Sequence, residues 1–250
     1  MKLANNPVSR LYILLSGLPD ENSPIGEYLS KEMGIDDDKI LTEMRLYTDL
    51  VELTGICVEK INQFQGFDSE EIQDLNKPLF AIYRVLARHS HTAGCYDVKS
   101  DIGLSTLAGL RVTARFIGRD HPEIEIDSDQ LDELLESVHE LTKFIIASDI
   151  HEDLKSALLK NTDRLAMAIR DYRIHGESGL KNAIESAIGS AFLVAAQNPE
   201  EAHKENFTEV LKRYSIVCNY FMTLLNLAFQ GKQILEPLIN QVGMLPEGSE

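Results

Sequence analysis

The sequence has few cysteines and few basic residues, and both shortages restrict what the protein can be. Its three cysteines, Cys57, Cys95 and Cys218, are an odd number at wide spacing. That pattern excludes a disulfide framework and favours a reducing compartment, so we expect a cytoplasmic protein. Lysine and arginine total 24 against 40 acidic residues in 250, a formal net charge of −16. Such a negative surface repels phosphate and argues against broad nucleic-acid binding.

Several catalytic and targeting signatures are also lacking. The sequence contains neither a glycine-rich phosphate loop nor a Gly-x-Ser-x-Gly nucleophile elbow. The apolar run at 11–15 is too short for the core of a signal peptide. Two stretches begin like a zinc-protease helix, His139-Glu140 and His151-Glu152, but lysine occupies the position of the second histidine in both.

The sequence shows helical periodicity along almost its whole length. Apolar residues recur every three or four positions, and no two segments alternate convincingly as paired strands. Short joints between the helices favour antiparallel neighbours. The sequence therefore predicts an all-α fold, a single bundle of roughly eight to nine mostly antiparallel helices over residues 1–242. We consider sub-bundles 1–119 and 120–242 within it, and we expect a disordered tail at 243–250.

Capping signals place several of the helix starts. Three of them combine a polar cap with proline or a capping box: Asn6-Pro7, Asp68 with Glu71, and Asp127 with Gln130. Ser23-Pro24 predicts a further short helix that Gly34 closes. In the helical region that begins after Asp68, Pro78 predicts a division into two helices. Residues 90–98 have the composition of a loop.

The segment from Leu104 to Ile117 fits two kinds of secondary structure. Four residues alternate as in a strand: Leu110, Val112, Ala114 and Phe116. Five residues fit one face of a helix: Leu104, Leu107, Leu110, Ala114 and Ile117. We predict a helix, because no neighbouring segment offers a strand partner and an isolated strand leaves its backbone unpaired.

Basic residues are concentrated in one central segment. Residues 78–119 carry a net charge of +4, whereas 120–142 contain nine acidic residues and no lysine or arginine. Three of the arginines recur every four positions and would form one stripe on a helix: Arg111, Arg115 and Arg119. With Arg84 and Arg88, this stripe predicts a site for a phosphate, a nucleotide, RNA or an acidic partner helix. The alternative is that the basic helix pairs with the acidic segment that follows it.

The last predicted helix contains a long uncharged stretch. The 17 residues from Tyr214 to Gln230 carry no formal charge, which is shorter than the roughly 20 residues that cross a bilayer. We expect no membrane span. Such a helix fits either a buried core position or an interface with a protein partner or a second copy of the chain. The candidate interface residues are Val217, Phe221, Leu224 and Leu225.

Two groups of residues have spacings that raise the question of a metal. Glu-x-x-His pairs, as in di-iron bundles, occur at Glu136/His139 and Glu200/His203, the first off the apolar stripe and the second in a first turn. A loop holds His89, His91, Cys95 and Asp97, a set that matches no recognised zinc pattern. We expect no metal and no cofactor.

One six-residue sequence carries a resemblance to a known family. Arg170-Asp171-Tyr172-Arg173-Ile174-His175 resembles the Arg-polar-x-x-x-His motif of the HEPN superfamily, a helical group that includes many ribonucleases of bacterial defence and toxin systems. The resemblance implies a metal-independent ribonuclease in which Arg170 and His175 of two subunits meet at a dimer interface.

The leading functional hypothesis is a non-enzymatic protein–protein interaction or regulatory subunit, and the HEPN-like ribonuclease is the alternative. The stretch Ile150–Phe192 resembles helical segments of bacterial accessory proteins, some of them linked to phage defence or toxin systems. That likeness implies a bacterial setting of the same kind.

Overall fold

The computed structural model describes residues 5–35, 39–64, 67–120, 122–198 and 205–225. These residues form ten α-helices: α1 (Pro7–Ser16), α2 (Ile25–Glu32), α3 (Lys39–Asn62), α4 (Ser69–Leu86), α5 (Cys95–Ile102), α6 (Leu104–Asp120), α7 (Ser128–Ala147), α8 (Glu152–Arg170), α9 (Tyr172–Gln197) and α10 (Glu205–Leu224). The only β-type pairing in the described residues is a single bridge between Pro24 and Gly94. The all-α prediction is confirmed, and the predicted count of eight to nine helices was too low.

The chain divides into two compact units. Unit 1 comprises Met1–Glu125 together with Arg173–Gly176, and unit 2 comprises Ile126–Tyr172 together with Glu177–Glu250. A short stretch from late in the sequence therefore completes the first unit. That 1–242 make one domain stays a prediction.

Unit 1 is built around α3 and α6. Helix α1 packs against both, α4 also packs against both, and α2 lies on α3. Leucines such as Leu11, Leu50 and Leu110 are buried where these helices meet. The predicted cap of α1 is present, since the Asn6 side chain accepts a hydrogen bond from the Ser9 N–H at 2.9 Å. The same side chain donates to the Ala114 carbonyl of α6 at 3.2 Å, so the cap also joins two helices.

The start of α2 is capped by a distant loop rather than by its own sequence. Pro24 occupies the cap position and makes no side-chain hydrogen bond. The backbone N–H groups of Ile25 and Gly26 donate instead to the carbonyls of Ala93 and His91, at 2.9 and 2.8 Å. These bonds satisfy donors that a helix leaves unpaired at its N-terminus. The prediction of a loop over residues 90–98 is wrong from Cys95 onward, because α5 begins there.

Helix α4 continues through Pro78, against the prediction that proline divides it. Proline lacks the N–H that would bond the carbonyl four residues earlier, and its ring crowds the preceding turn. The carbonyl that loses its partner is that of Asp74, four residues before Pro78. Helix α6 packs against this stretch, because the Thr113 hydroxyl donates to the adjacent Leu75 carbonyl at 3.3 Å and a Cβ at Gly109 would make ordinary contact with Pro78 at 3.6 Å.

The helix predicted over the ambiguous segment is confirmed as α6. The buried face consists of the predicted apolar residues with one exception: Leu107, Leu110, Ala114 and Ile117 are buried. Leu104 was assigned to that face, but its side chain is 82% exposed. It is the first residue of the helix, where the core of unit 1 does not reach it.

Residues Arg173–Gly176 are held in unit 1 by a buried arginine. The Arg10 side chain is 7% exposed, forms an ion pair with Glu123 and donates from Nε to the Ile174 carbonyl at 3.2 Å. Gly176 lies directly against it, with φ of 59° and ψ of −149°. A Cβ at Gly176 would lie 2.3 Å from the Arg10 guanidinium carbon. Only glycine therefore fits at this position.

The backbone changes direction twice near Gly176. Helix α8 ends at Arg170 with Asp171 as its C-cap. Helix α9 begins at Tyr172 and is kinked at Gly176. The first break, at Asp171, lies within the sequence that resembles the HEPN motif, and the kink at Gly176 follows it directly.

Unit 2 is organised around α7, which packs against α8 and α10. The predicted capping box of Asp127 and Gln130 starts α7. Leu134 of α7, Leu158 of α8 and Phe207 of α10 are all fully buried. The tail predicted at 243–250 lies outside the described residues.

Replacement of Gly176 tests the packing around Arg10. We expect Gly176→Ala to lower the free energy of unfolding by about 3 kcal/mol, because the new Cβ meets Arg10 and the backbone conformation is one that L-residues avoid. Gly189→Ala is the matched control, since Gly189 is helical with nothing within 4 Å of a new Cβ. It should stabilise by up to about 1 kcal/mol. Urea denaturation of both variants measures the two values, and equal effects would contradict the proposed contact.

Candidate functional site

The basic stripe predicted from the sequence lies on the exposed side of α6 together with apolar side chains. Steps of about 100° per residue place the exposed members within an arc of about 140°. We call this set the α6 face: Leu104, Arg111, Val112, Arg115, Phe116 and Arg119. All six residues are exposed, and the arginine row runs beside the apolar one.

The α6 face also exposes large apolar side chains beside its arginines. Val112 is 50% exposed and Phe116 is 41% exposed, in addition to Leu104. Isolated exposed apolar residues are common, but three on one helix face beside a row of arginines resemble the composition of protein interfaces. Arginine and phenylalanine are both enriched at such interfaces.

Arg111 and Arg115 have no ion-pair partner among the described residues of unit 1, whereas Arg10 and Arg173 in the same unit are both paired. Their guanidinium groups are not used to hold unit 1 together. They are therefore available to an external anion or acidic side chain.

Arg84 and Arg88 belong to another part of the surface of unit 1. The contacts from Leu75 to Thr113 and from Pro78 to Gly109 show that α4 and α6 run antiparallel. This register puts Arg84 level with the start of α6, about 11 Å along the axis from Arg111. Arg84 and Arg88 are exposed. The five arginines predicted as one site are therefore spread along a helix pair rather than gathered at a point.

The acidic segment forms an exposed stripe of its own on α7. Four carboxylates lie within an arc of about 80° on that helix: Asp129, Asp132, Glu136 and Glu140. The neighbouring Glu133 accepts a hydrogen bond from the Tyr220 hydroxyl at 2.6 Å. The other four form no ion pair within the described part of unit 2.

The candidate interface residues of the last helix lie mostly inside unit 2. Val217, Phe221 and Leu225 are buried, and Leu224 is half-buried. An interface at these four positions stays a prediction, and the buried side chains among them have little surface to offer a partner. Burial favours the core alternative for this helix, whose uncharged stretch from 226 to 230 lies outside the described residues. None of the described helices has the length and apolar character needed to span a bilayer.

A shallow groove of about 310 Å³ lies between α7 and α10. Ile216, which is 66% exposed, and Arg213 form part of its wall. The Arg213 guanidinium stacks over the ring of Phe144 at 4.0 Å and lies 3.3 Å from a Glu209 carboxylate oxygen. This arginine is occupied by contacts within unit 2, whereas Arg111 and Arg115 of the α6 face have no ion pair within the described part of unit 1.

The histidine and cysteine loop has a structural role. His91 caps α2 through its carbonyl, and His89 Nε2 lies 3.0 Å from an Asp101 carboxylate oxygen. The Cys95 thiol is buried and accepts a hydrogen bond from the Ser23 hydroxyl at 3.8 Å. Across the described residues, the side chains of His89, His91, Cys95 and Asp97 do not converge on one point.

The remaining metal-like spacings are not assembled into a site either. Among the described residues, Glu136 and His139 do not join a cluster of three ligand side chains. Glu200 and His203 lie outside the described residues.

The cysteines are poor nucleophiles in this fold. Burial raises the pKa of the Cys218 thiol to about 12 and also raises that of Cys57. The thiolate is the reactive form of cysteine, so these groups remain protonated and inert at neutral pH. Neither provides a catalytic centre.

Arg170 and His175 do not share a helix. Arg170 is the last residue of α8 and belongs to unit 2, whereas His175 lies in the segment that completes unit 1. His175 Nε2 is 3.5 Å from a carboxylate oxygen of Asp49. A continuous helix would set residues five apart about 140° from each other around its axis, and the break at Asp171 means that no single helix fixes their relative position.

Comparison with known proteins adds no assignment. No protein-family model matches the chain, and no match was found among curated proteins or solved structures.

Sequence reasoning found the arginines of the α6 face but missed its apolar members. The signal was present, because Val112 and Phe116 produced the strand-like alternation in this segment. A helix with apolar residues on both its core side and its outer side gives that mixed pattern. The exposed apolar row can therefore be predicted from the sequence once the segment is known to be helical.

Two arginine substitutions test whether the α6 face contributes to the stability of the fold. We expect Arg115→Ala to change the free energy of unfolding by less than about 0.5 kcal/mol, because the side chain is exposed and unpaired in unit 1. Arg10→Ala should cost about 3–5 kcal/mol, since it leaves the Glu123 carboxylate poorly solvated without its partner. Chemical denaturation measures both, and similar losses would show that Arg115 supports the fold.

Proposed function

We propose that this chain is a non-enzymatic interaction subunit that binds an acidic protein partner through the α6 face. The observation that carries the proposal is the combination, on one helix, of an exposed apolar row with two arginines unpaired in unit 1. Apolar side chains supply most of the favourable free energy of such a contact, and arginines supply the selectivity for carboxylates.

An acidic partner suits the α6 face better than a nucleic acid. The chain outside residues 78–119 carries a charge of −20, which would surround a bound phosphate backbone with like charge. The arginine row is also only three residues long and is bordered by aliphatic side chains rather than by a basic groove. A partner helix with its own apolar and acidic rows matches both parts of the face.

The net charge of the chain does not prevent this contact. At physiological ionic strength the Debye length is about 8 Å, so carboxylates farther away are largely screened. Groups in direct contact are screened much less. Local complementarity at the α6 face therefore outweighs the distant negative charge in determining which surface is bound.

The proposal also assigns the protein to the cytoplasm. Its support is that all three cysteines are unpaired thiols buried in the fold. The setting in bacterial defence rests on the likeness of Ile150–Phe192 alone and stays a prediction.

Charge reversal on the α6 face tests partner binding. We expect Arg111→Glu/Arg115→Glu to lose the partner protein that the wild-type chain retains in affinity purification from its native cells. The reversal replaces two attractions to carboxylates by two repulsions, which we expect to weaken binding by about tenfold or more. Quantitative mass spectrometry of the bound fraction measures the loss.

The matched control for that experiment is Lys160→Glu/Arg164→Glu. These residues are also basic, four positions apart and exposed on a helix, but they lie on α8. The control makes the same change in net charge and should retain the partner. If the α6 variant and the control bind the same proteins equally, the proposal fails.

The ribonuclease alternative has a separate test. Because the helix break separates Arg170 from His175 and an Asp49 carboxylate lies close to His175, we expect no cleavage of total RNA by the wild-type protein. Incubation at several protein concentrations, with His175→Ala alongside, covers the dimeric arrangement that the HEPN resemblance implies. Cleavage by the wild type that His175→Ala abolishes would establish the enzyme and overturn our assignment.

A further inference from the structure

The acidic stripe of α7 has the chemistry that the α6 face requires of its partner. Asp132 and Glu136 are exposed, and they are four residues apart. Their spacing along the helix is about 6 Å, the same as that of Arg111 and Arg115 on α6. Two helices laid side by side can therefore pair both carboxylates with both guanidinium groups in one register.

The apolar parts of the two helices match as well. Leu131 and Leu135 are half-buried and lie beside the acidic stripe of α7. On α6, Val112 and Phe116 lie beside the arginine row in the same manner. Each helix thus presents a charged row next to an apolar row, as partner helices that recognise each other do.

The two arginines and two carboxylates that would pair form no ion pair within the described parts of their own units. Arg111 and Arg115 have no ion pair in the described part of unit 1, and Asp132 and Glu136 have none in the described part of unit 2. Both rows are solvent-exposed, so a partner can reach them without unfolding of either helix.

We propose that the acidic partner of the α6 face is the acidic stripe of α7 in a second copy of this chain. The inference rests on the proposed function and identifies its partner. Every copy then carries both complementary surfaces, so the contact is heterologous, with the α6 face of one copy against α7 of the next. Assembly grows by addition of copies through the same contact.

Sedimentation velocity tests the self-association of the purified full-length chain. At about 100 µM, where a contact of micromolar affinity is mostly filled, we expect species larger than the monomer in about 0.15 M salt. They should dissociate in about 1 M salt, where the Debye length falls to about 3 Å. A wild-type chain that remains monomeric at about 0.15 M salt overturns the inference.

Two charge-reversal variants and their mixture give the sharpest result. Arg111→Glu/Arg115→Glu and Asp132→Lys/Glu136→Lys should each weaken self-association by about tenfold or more. In an equimolar mixture, the glutamates introduced on α6 of the first variant can pair with the lysines introduced on α7 of the second. The unaltered arginines of the second variant can likewise pair with the unaltered carboxylates of the first. Association should therefore return to near the wild-type level. Failure of the mixture to associate, with both variants folded by circular dichroism, overturns the inference.

The outcomes also separate this inference from the proposed function. Lys160→Glu/Arg164→Glu should self-associate like the wild type, because α8 is outside the contact. If the wild type is monomeric but loses a different acidic protein on reversal of Arg111 and Arg115, the self-association inference fails and the proposed function stands. If the α6 reversal changes neither self-association nor partner retention, both fail.

Discussion

The buried Arg10 guanidinium is the interaction on which the arrangement of unit 1 depends. Removing a charged group from water costs several kcal/mol, and only close partners offset that cost. Glu123 supplies the opposite charge, and Asn5 and the Ile174 carbonyl accept further hydrogen bonds at 3.2 Å each. These partners come from three separate parts of the chain. One side chain of α1 thereby fixes where the chain leaves unit 1 and where it returns.

Local signals in the sequence predicted local structure well. Asn6 at α1 and the capping boxes at α4 and α7 depend only on residues within one turn, and all three are present. The failures have causes that are distant in sequence. Helix α4 runs through Pro78 where Thr113 and Gly109 of α6 lie against it, and α2 is capped by the loop before α5. No inspection of the neighbouring residues could supply those contacts.

The charged residues of the candidate site could be predicted from the sequence, but the exposure of its apolar residues could not. A four-residue spacing was enough to place Arg111 and Arg115 on one stripe, because helical geometry depends only on position. Exposure depends on what the rest of the fold covers. The uncharged stretch of α10 fitted a core position or an interface, and burial of Phe221 favours the core. In the same way, Leu104 had the pattern of a core residue and was left outside.

The discontinuous make-up of unit 1 has a consequence for how the protein is synthesised. Residues 1–125 leave the ribosome before residues 173–176, and at that stage Arg10 can pair with Glu123 but has no Ile174 carbonyl to bond. The guanidinium is enclosed only after residues 173–176 follow, about 50 positions later. Since domains generally fold as their chain emerges, the first half of this protein is complete in sequence well before it is complete in structure. A nascent chain that stops short of Gly176 carries a partly solvated charge where the finished protein has a buried one.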